Sequence, residues 1–551
     1  MRLAILLKLP AICVLLCRPA IGQDGTAATA VPTFHSIGLT VPYRQESNAE
    51  RSCTVRYHKK GEEPWREGHP LFSDTEGREF RGSLVLLAPG TAYETELSIV
   101  GADGRDPAVS RLEAQTWPED FPIAETVWIE PGVRKKPLVI GRSGSPAGYL
   151  LFSARPGREK ETVIDVEGEE DNNVAISGDY VIVRGPVLRN ARTHAVEIRR
   201  GHHIVIERCQ IAGWGRPGGN NEGDLDAGVY ARQRRDRISQ IVVQDNVIGP
   251  PRGCANPWKE GHPLGPQAIS FVETDGNHVV RYNALVSDDA HRYNDVIGGG
   301  WNSGPKGAPH RDSDIYGNLV SHANDDAIEA EGLNINVRIW GNKAENTFVG
   351  IALAPTIQGP CYVFRNVITA YEGAAFKLGD GARKGHGALY LYHNAIHSPR
   401  PRADAYAGWG GKGLFKHLAA RNNIVNVNGY VLCDTRREPT NSFDYDLMNA
   451  LDPERFIKRG QDRLRLKQAQ EQLGFWTHGV TGDPCFADPA KGDFTLRKES
   501  PAVDRGLRIP GFNDGFRGSA PDIGPFELGD EPPAYGPRPR SAAARRAAAA
   551  H

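Results

Sequence analysis

Val-Val-Gln-Asp-Asn-Val-Ile (242–248) is the first of seven stretches with one design: an apolar-rich run, an Asn, then two or three more apolar residues. It returns as VVRYNALV (279–286), DIYGNLV (314–320), VRIWGNKA (337–344), CYVFRNVI (361–368), LYLYHNAI (389–396) and AARNNIV (419–425). The Asn residues stand at 246, 283, 318, 342, 366, 394 and 423, so successive steps are 37, 35, 24, 24, 28 and 29 residues. One coil of a parallel β-helix needs three short strands and three turns, a little over about 20 residues, and longer steps are a coil plus a loop insertion. Asn suits such a turn because it tolerates left-handed dihedrals and its amide bonds both to nearby backbone and to the Asn one coil on. The sequence therefore predicts an all-β chain built on a right-handed parallel β-helix, with the Asn ladder structural rather than catalytic.

The rest of the 551 residues arranges itself around that repeat. Residues 1–22 read as a secretory signal. Arg2 and Lys8 precede an apolar run from Leu9 to Cys17, and Ala20-Ile21-Gly22 offers small residues before a cleavage point. That run is too short to span a bilayer and no later one approaches the length required, so a secreted or periplasmic protein without a membrane span is expected. Residues 33–118 alternate as short strands and predict a small β-sandwich, with TWPEDFP (116–122) as linker. The β-helix is expected over 124–529, broken by a helical insertion at 442–474 where charged residues fall at helical spacing. Residues 530–551, rich in Pro, Arg and Ala, are expected to be disordered. Within the sandwich, Leu87-Ala-Pro-Gly-Thr-Ala-Tyr-Glu-Thr-Glu-Leu resembles the late-strand signature of fibronectin type III domains, which implies an accessory module.

Charge and cysteine content narrow the function. Lys plus Arg (66) nearly balance Asp plus Glu (67), so no overall field recruits nucleic acid. The six cysteines beyond the leader (Cys53, Cys209, Cys254, Cys361, Cys433, Cys485) include no CxxC pair, which argues against structural zinc. Oligomeric state is not legible in the chain.

With the Asn ladder as a ruler, Asp325-Asp326-Ala327-Ile328-Glu329-Ala330-Glu331 begins seven positions after Asn318. Alternation sends Ile328 and Ala330 inward and Asp325, Glu329 and Glu331 outward, toward solvent. Lys377 stands eleven positions after Asn366, as Glu329 does after Asn318, with Phe376 and Leu378 pointing inward beside it. Two coils at about 4.8 Å each put Lys377 roughly 10 Å from Glu329 in one column. Applied to the coil between, the same ruler turns Ile351 and Leu353 outward, which requires a register slip there. Asp295, one coil before the acidic run, completes a cluster of Asp295, Asp325, Asp326 and Glu329. Carboxylates this close repel unless a cation is bound, and flexible oxygen ligands suit calcium. A calcium there would grip a uronate carboxylate while Lys377, its pKa lowered by burial, the ion and nearby Arg383 and Lys384, takes the C5 proton.

At these residues the chain resembles the family 9 pectate lyases. That family holds its calcium with an Asp-Asp-x-x-Asp run plus an earlier Asp and uses a Lys in a Phe-Lys-Leu-Gly context as base. Here the run ends in Glu329 rather than Asp, Asp295 matches the earlier Asp, and the Lys stands in Phe376-Lys377-Leu378-Gly379. The resemblance implies calcium-assisted β-elimination on an acidic polysaccharide. Arg292, Trp301, His310, Arg311, Arg383 and His386 are expected to line its groove, since guanidinium groups and rings suit anionic sugars. Gly385-His386-Gly387 invites comparison with polygalacturonase-type hydrolases, but Asp326 lies 60 residues before His386 and no Asn-Thr-Asp precedes it. Hydrolysis by the carboxylates, a non-catalytic polysaccharide-binding solenoid and a C5-epimerase remain open alternatives.

Overall fold

The computed structural model describes residues 20–21, 27–43, 51–101, 108–217, 223–300, 306–379, 385–408, 414–434, 438–452, 454 and 456–539. From Ile123 the chain winds as a right-handed parallel β-helix. Each coil gives one strand to each of three sheets, here A, B and C in chain order, which hold 12, 13 and 13 strands among the described residues. In sheet A, Val242 pairs with Val279, Val279 with Asp314, Asp314 with Arg338, Val337 with Cys361, Cys361 with Leu389 and Leu389 with Leu418. These offsets are the Asn spacings of the sequence, step for step.

The ladder lies at the turn from sheet A to sheet B. Each backbone N–H from Asn246 to Asn394 donates to the next Asn Oδ1 at 2.9–3.1 Å, and each side-chain amide donates to the same oxygen and to backbone carbonyls inside the coil. Left-handed backbone is needed at this turn, but one residue earlier than expected: Asp245, Tyr282, Gly317, Gly341, Arg365, His393 and Asn422 carry φ of +52° to +67°. The Asn is thus selected for its amide, not its dihedrals.

The ladder also runs past the last Asn. Asn423 N–H donates to Asp446 Oδ1 at 2.7 Å, and Trp476 Nε1–H caps Asp446 Oδ2 at 3.0 Å. The strands Ser442–Asp444, Leu447–Ala450 and Ile457–Arg459 consequently continue the β-helix, and among the described residues the expected helical insertion shrinks to one helix, Leu466–Leu473. The helix closes the end of the barrel with buried Ala469, and Gly474 stops it at φ +69°.

Two of the three outer faces are covered. Tyr316, Trp340, Phe364 and Tyr392 pair in succession on sheet A and point outward. The amino-terminal β-sandwich packs on this column with its own core of Ile37, Leu39, Phe80, Leu97 and their neighbours. Its strands follow one another in the order Ala27–Pro32, Ile37–Pro42, Glu79–Leu84, Arg66–Asp74, Arg51–Lys59, Ala92–Gly101 and Ala108–Gln115, all antiparallel. The junction is sealed by buried ions: Arg338 holds Asp314 at 3.0 Å through two nitrogens, and Thr33 and Ser36 of the sandwich donate to the same carboxylate. On sheet B, Val367, Ala395, Ile424 and Leu447 pack under Phe486, Phe494, Ala502 and Ile523 of the carboxyl-terminal segment.

Part of the expected disordered tail is in fact docked, because Arg538 holds Asp245 at 2.9 Å and Glu119 at 3.1 Å; residues 540–551 lie outside the described residues. Most of the expected leader, 1–22, also lies outside them. The six cysteines are free thiols, and no helix among the described residues is long and apolar enough to cross a membrane. Among the described residues, no second domain lies on the outer face of sheet C.

Replacing Asn342 by Ala removes an acceptor shared by two Asn318 donors and strips three bonds from its own amide. At about 1–3 kcal/mol for a stranded buried group, urea unfolding should show a loss of at least about 2 kcal/mol; an unchanged midpoint would refute the ladder's structural role.

Candidate active site

Sheet C builds the site from strands at Ile297–Gly298, Asp326–Glu329, Val349–Leu353 and Ala374–Leu378. Glu329 pairs with Ala352 and Ala352 with Lys377, so Glu329 and Lys377 share one outward column two coils apart. The two offsets are 23 and 25 residues: the register slips by one and recovers, which keeps Ile351 and Leu353 in the core. Ile297 pairs with Ile328, which sets Asp295 beside Asp326, and Asp326 N–H donates to Asp295 Oδ1 at 3.1 Å.

Three features differ from the sequence expectation. The carboxylates are not solvent-facing: exposure runs from 0% for Asp326 to 7% for Glu329, with Lys377 at 6%. The loop insertion before sheet C's strand at 267 supplies the cover. Trp258 Nε1–H donates to Asp325 Oδ1 at 3.2 Å, its ring lies 5.6 Å from that of Phe348, and His262 Nε2 stands 3.7 Å from Asp325 Oδ2. Second, Lys377 is in contact with the acids. Because the coil between offers only Ala352, the lysine folds back across it, placing Nζ 2.9 Å from Asp326 Oδ2 and 3.1 Å from Glu331 Oε1. Third, its pKa is not lowered. Burial acts downward, but the fields of Asp326, Glu331, Asp325 and Glu329 outweigh it and hold the lysine well above its ordinary value.

The acids respond in the opposite sense. Burial, reinforced by Asp326, pushes Asp325 up to about 9 against the pull of Lys377 and Trp258. Burial pushes Glu331 up to about 8 against Lys377, and Glu329 is raised by burial and Asp326. Asp295 is raised well above the carboxylate range by burial and by Glu329, Asp326 and Asp325.

Asp295, Asp325 and Asp326 each offer an oxygen within 4.8 Å of the others, the spacing of ligands around one ion. Asp326 Oδ1, within this trio, is buried without a hydrogen-bond partner, as are Asn294 Oδ1, next to Asp295 in the chain, and Gln267 Oε1. Gln267 meanwhile donates through Nε2 to Asp295 Oδ2 at 3.0 Å. An all-oxygen set of carboxylates fits a hard divalent cation such as calcium. Glu329 stands outside the trio, its Oε2 3.4 Å from the Gly299 nitrogen.

The remaining expected residues do not converge here. Arg292 is consumed by structure, donating to Asn324 Oδ1, Asp289 and the carbonyls of Ala323 and Asn346 at 2.7–2.9 Å. Arg311 bonds Asp312 at 3.0 Å, and buried His310 beside it is held down to about 4 by burial and by Arg311. His386 faces Asp74 and Glu76 of the sandwich at 3.7 Å, so Gly385-His386-Gly387 takes no part in the carboxylate site. Trp301 and Arg383 lie outside the described residues. Sequence reasoning missed Trp258, His262 and Gln267, whose only signal was a long insertion (250–266) one coil before Asp295, and it left Glu331 without a role.

No family model and no curated protein matches this sequence. Among solved structures the chain is similar to the Yersinia enterocolitica family 28 exopolygalacturonase, at 10% identity and a TM-score of 0.29, over 81% of this chain and 96% of that one. It is also similar to the Agl-KA catalytic domain, at 11% identity and a TM-score of 0.27, over 83% of this chain and 91% of that one. Neither likeness bears on the chemistry of the site.

Asp325 and Glu331 bind protons more tightly folded than unfolded, so the folded state gains stability at low pH and loses it as pH rises from the ordinary carboxylate range through about 8–9. In EDTA the melting temperature should fall by several degrees across that window, and the fall should be shallower in Asp325→Asn. Equal slopes in the two proteins would contradict the assignment.

Proposed function

We propose that the protein is a secreted or periplasmic polysaccharide lyase that cleaves an acidic, uronate-containing polysaccharide by β-elimination, with Lys377 as the base. The observation that carries this reading is the buried contact of Lys377 Nζ with Asp326 and Glu331 beside a trio of oxygen donors. Asp295, Asp325 and Asp326 would hold the cation, with calcium the ion their chemistry fits. That ion, when bound, supplies positive charge to grip the uronate carboxylate and to offset the carboxylate fields around the lysine. Lys377 Nζ is the atom placed to receive the C5 proton once it is neutral. Glu331 Oε1, 3.1 Å away, is the neighbour that would take the lysine's own proton when it is itself ionised. Trp258 and Phe348 roof the acids and keep water from them, which strengthens every charge interaction beneath.

The leader-like segment supports secretion, and the stretch from Leu87 to Leu97 supports reading the sandwich as a fibronectin type III-like accessory module. A second reading, hydrolysis, is favoured by the burial of Asp325, which raises its carboxyl in the direction a general acid needs.

Lys377→Met, which keeps the apolar stem, should lower elimination by about a hundredfold or more. The measurement is the ultraviolet absorbance of the unsaturated uronate end across a panel of acidic polysaccharides, with calcium and with EDTA. New reducing ends without that absorbance would move the case to hydrolysis, and neither signal would leave a binding solenoid.

A further inference from the structure

Sheet C carries a second cluster of side chains, before the acids. Along its outward column Glu197 pairs with Tyr230 and Tyr230 with Ser270, and Ser270 pairs with Gly298, which lies beside Glu329. Tyr230 is therefore three strand spacings from Glu329, about 14 Å. Its ring lies flat on His194, with centroids 3.9 Å and planes 3° apart. His194 is fixed beneath it, since Nδ1 accepts the Ala227 N–H at 3.0 Å.

Arginines rim this platform. Arg199 and Arg200 follow the strand His194–Ile198, and Arg232, Arg234, Arg235 and Arg237 end or follow the strand Ala227–Arg232 one coil on. All six are exposed. Arg199 meets Glu197 at 2.7 Å and Arg237 meets Asp275 at 2.8 Å, while Arg232 bonds Tyr230. Arg200, Arg234 and Arg235 make no ion pair among the described residues. In a chain of net charge −1 this is a local concentration of positive charge, not a share of general basicity. Ser270 and Gly298 are buried, so the platform is a surface of its own rather than the floor of the carboxylate site.

We propose that this arginine-rimmed platform is an accessory binding site for a polyanionic polysaccharide. Guanidinium groups grip carboxylate or sulfate oxygens with two parallel bonds, and the aromatic face takes the apolar side of a sugar ring. The inference rests on the reading that the carboxylate site acts on an acidic glycan, and it adds a second grip on that chain. Exposed arginines engaged one by one give modest affinity that weakens with salt, as suits a surface along which a polymer is held and released.

The test uses the full chain and affinity electrophoresis in gels holding polygalacturonate, heparin or dextran, with a DNA duplex titrated separately. Replacing Arg200, Arg234 and Arg235 together by Ala should weaken retention by an anionic glycan roughly tenfold and flatten its salt dependence. The triple Lys variant should keep most of it, and dextran should retain neither protein. Turnover of a short oligouronide, too small to reach the platform, should be unchanged. The proposal is overturned if the Ala variant is retained like the wild type, if no anionic glycan retains the wild type, or if DNA binds as tightly as the glycan. Lys377→Met separates the two readings. If it leaves elimination intact while retention still depends on the arginines, the catalytic reading fails and the platform stands. If elimination is lost in Lys377→Met but retention ignores the arginines, the reverse holds.

Discussion

Parallel stacking places equivalent residues of successive coils about 4.8 Å apart, and everything this chain does follows from how it fills those columns. An inward column must be apolar, and Ile297, Ile328, Ile351 and Phe376 are. A turn column must satisfy its own backbone, and the Asn ladder does so by handing each amide to the next coil. A column of like charges repels itself at this spacing, by several kcal/mol once solvent is excluded. Asp295 directly beside Asp326 is thus an arrangement that needs a partner of opposite sign.

Lys377 meets part of that need. Its ammonium reaches Asp326 and Glu331 only because the coil between contributes Ala352, a residue too small to block the path. Asp295 and Asp325 are raised above the carboxylate range by burial and by their neighbours, and Asp326 Oδ1 is left without a hydrogen-bond partner. The two added domains fit the same logic. The sandwich lies on sheet A and the carboxyl-terminal segment on sheet B, whereas the acids and Lys377 stand on sheet C.

The ladder made much of this legible in advance, since its spacings are the register of sheet A. That ruler put Glu329 and Lys377 in one column and required the slip at Ala352. It failed where its signal changed identity: Asp446 occupies the last ladder position, and a search for Asn took that coil for a helix. It was silent on the third dimension. Strand alternation separates inward from outward, but only tertiary structure shows that the loop bearing Trp258 roofs the outward acids, or that a lysine stem folds across a neighbouring coil. The partners of Arg292 and His386 were not legible, because residue type says nothing about which groups a guanidinium or imidazole has already found. Arg292 is spent on backbone carbonyls, and His386 lies against the sandwich.

The proposed function requires that Asp295, Asp325 and Asp326 hold a cation, and titration calorimetry of calcium into the EDTA-treated, desalted protein near pH 8 tests this directly. One binding event is predicted, with a Kd of about 10⁻⁶ to 10⁻³ M for a rigid oxygen site; it should release protons and disappear in Asp326→Asn. A wild type that takes up no calcium, or an Asp326→Asn protein that binds it equally well, would contradict the account at its root.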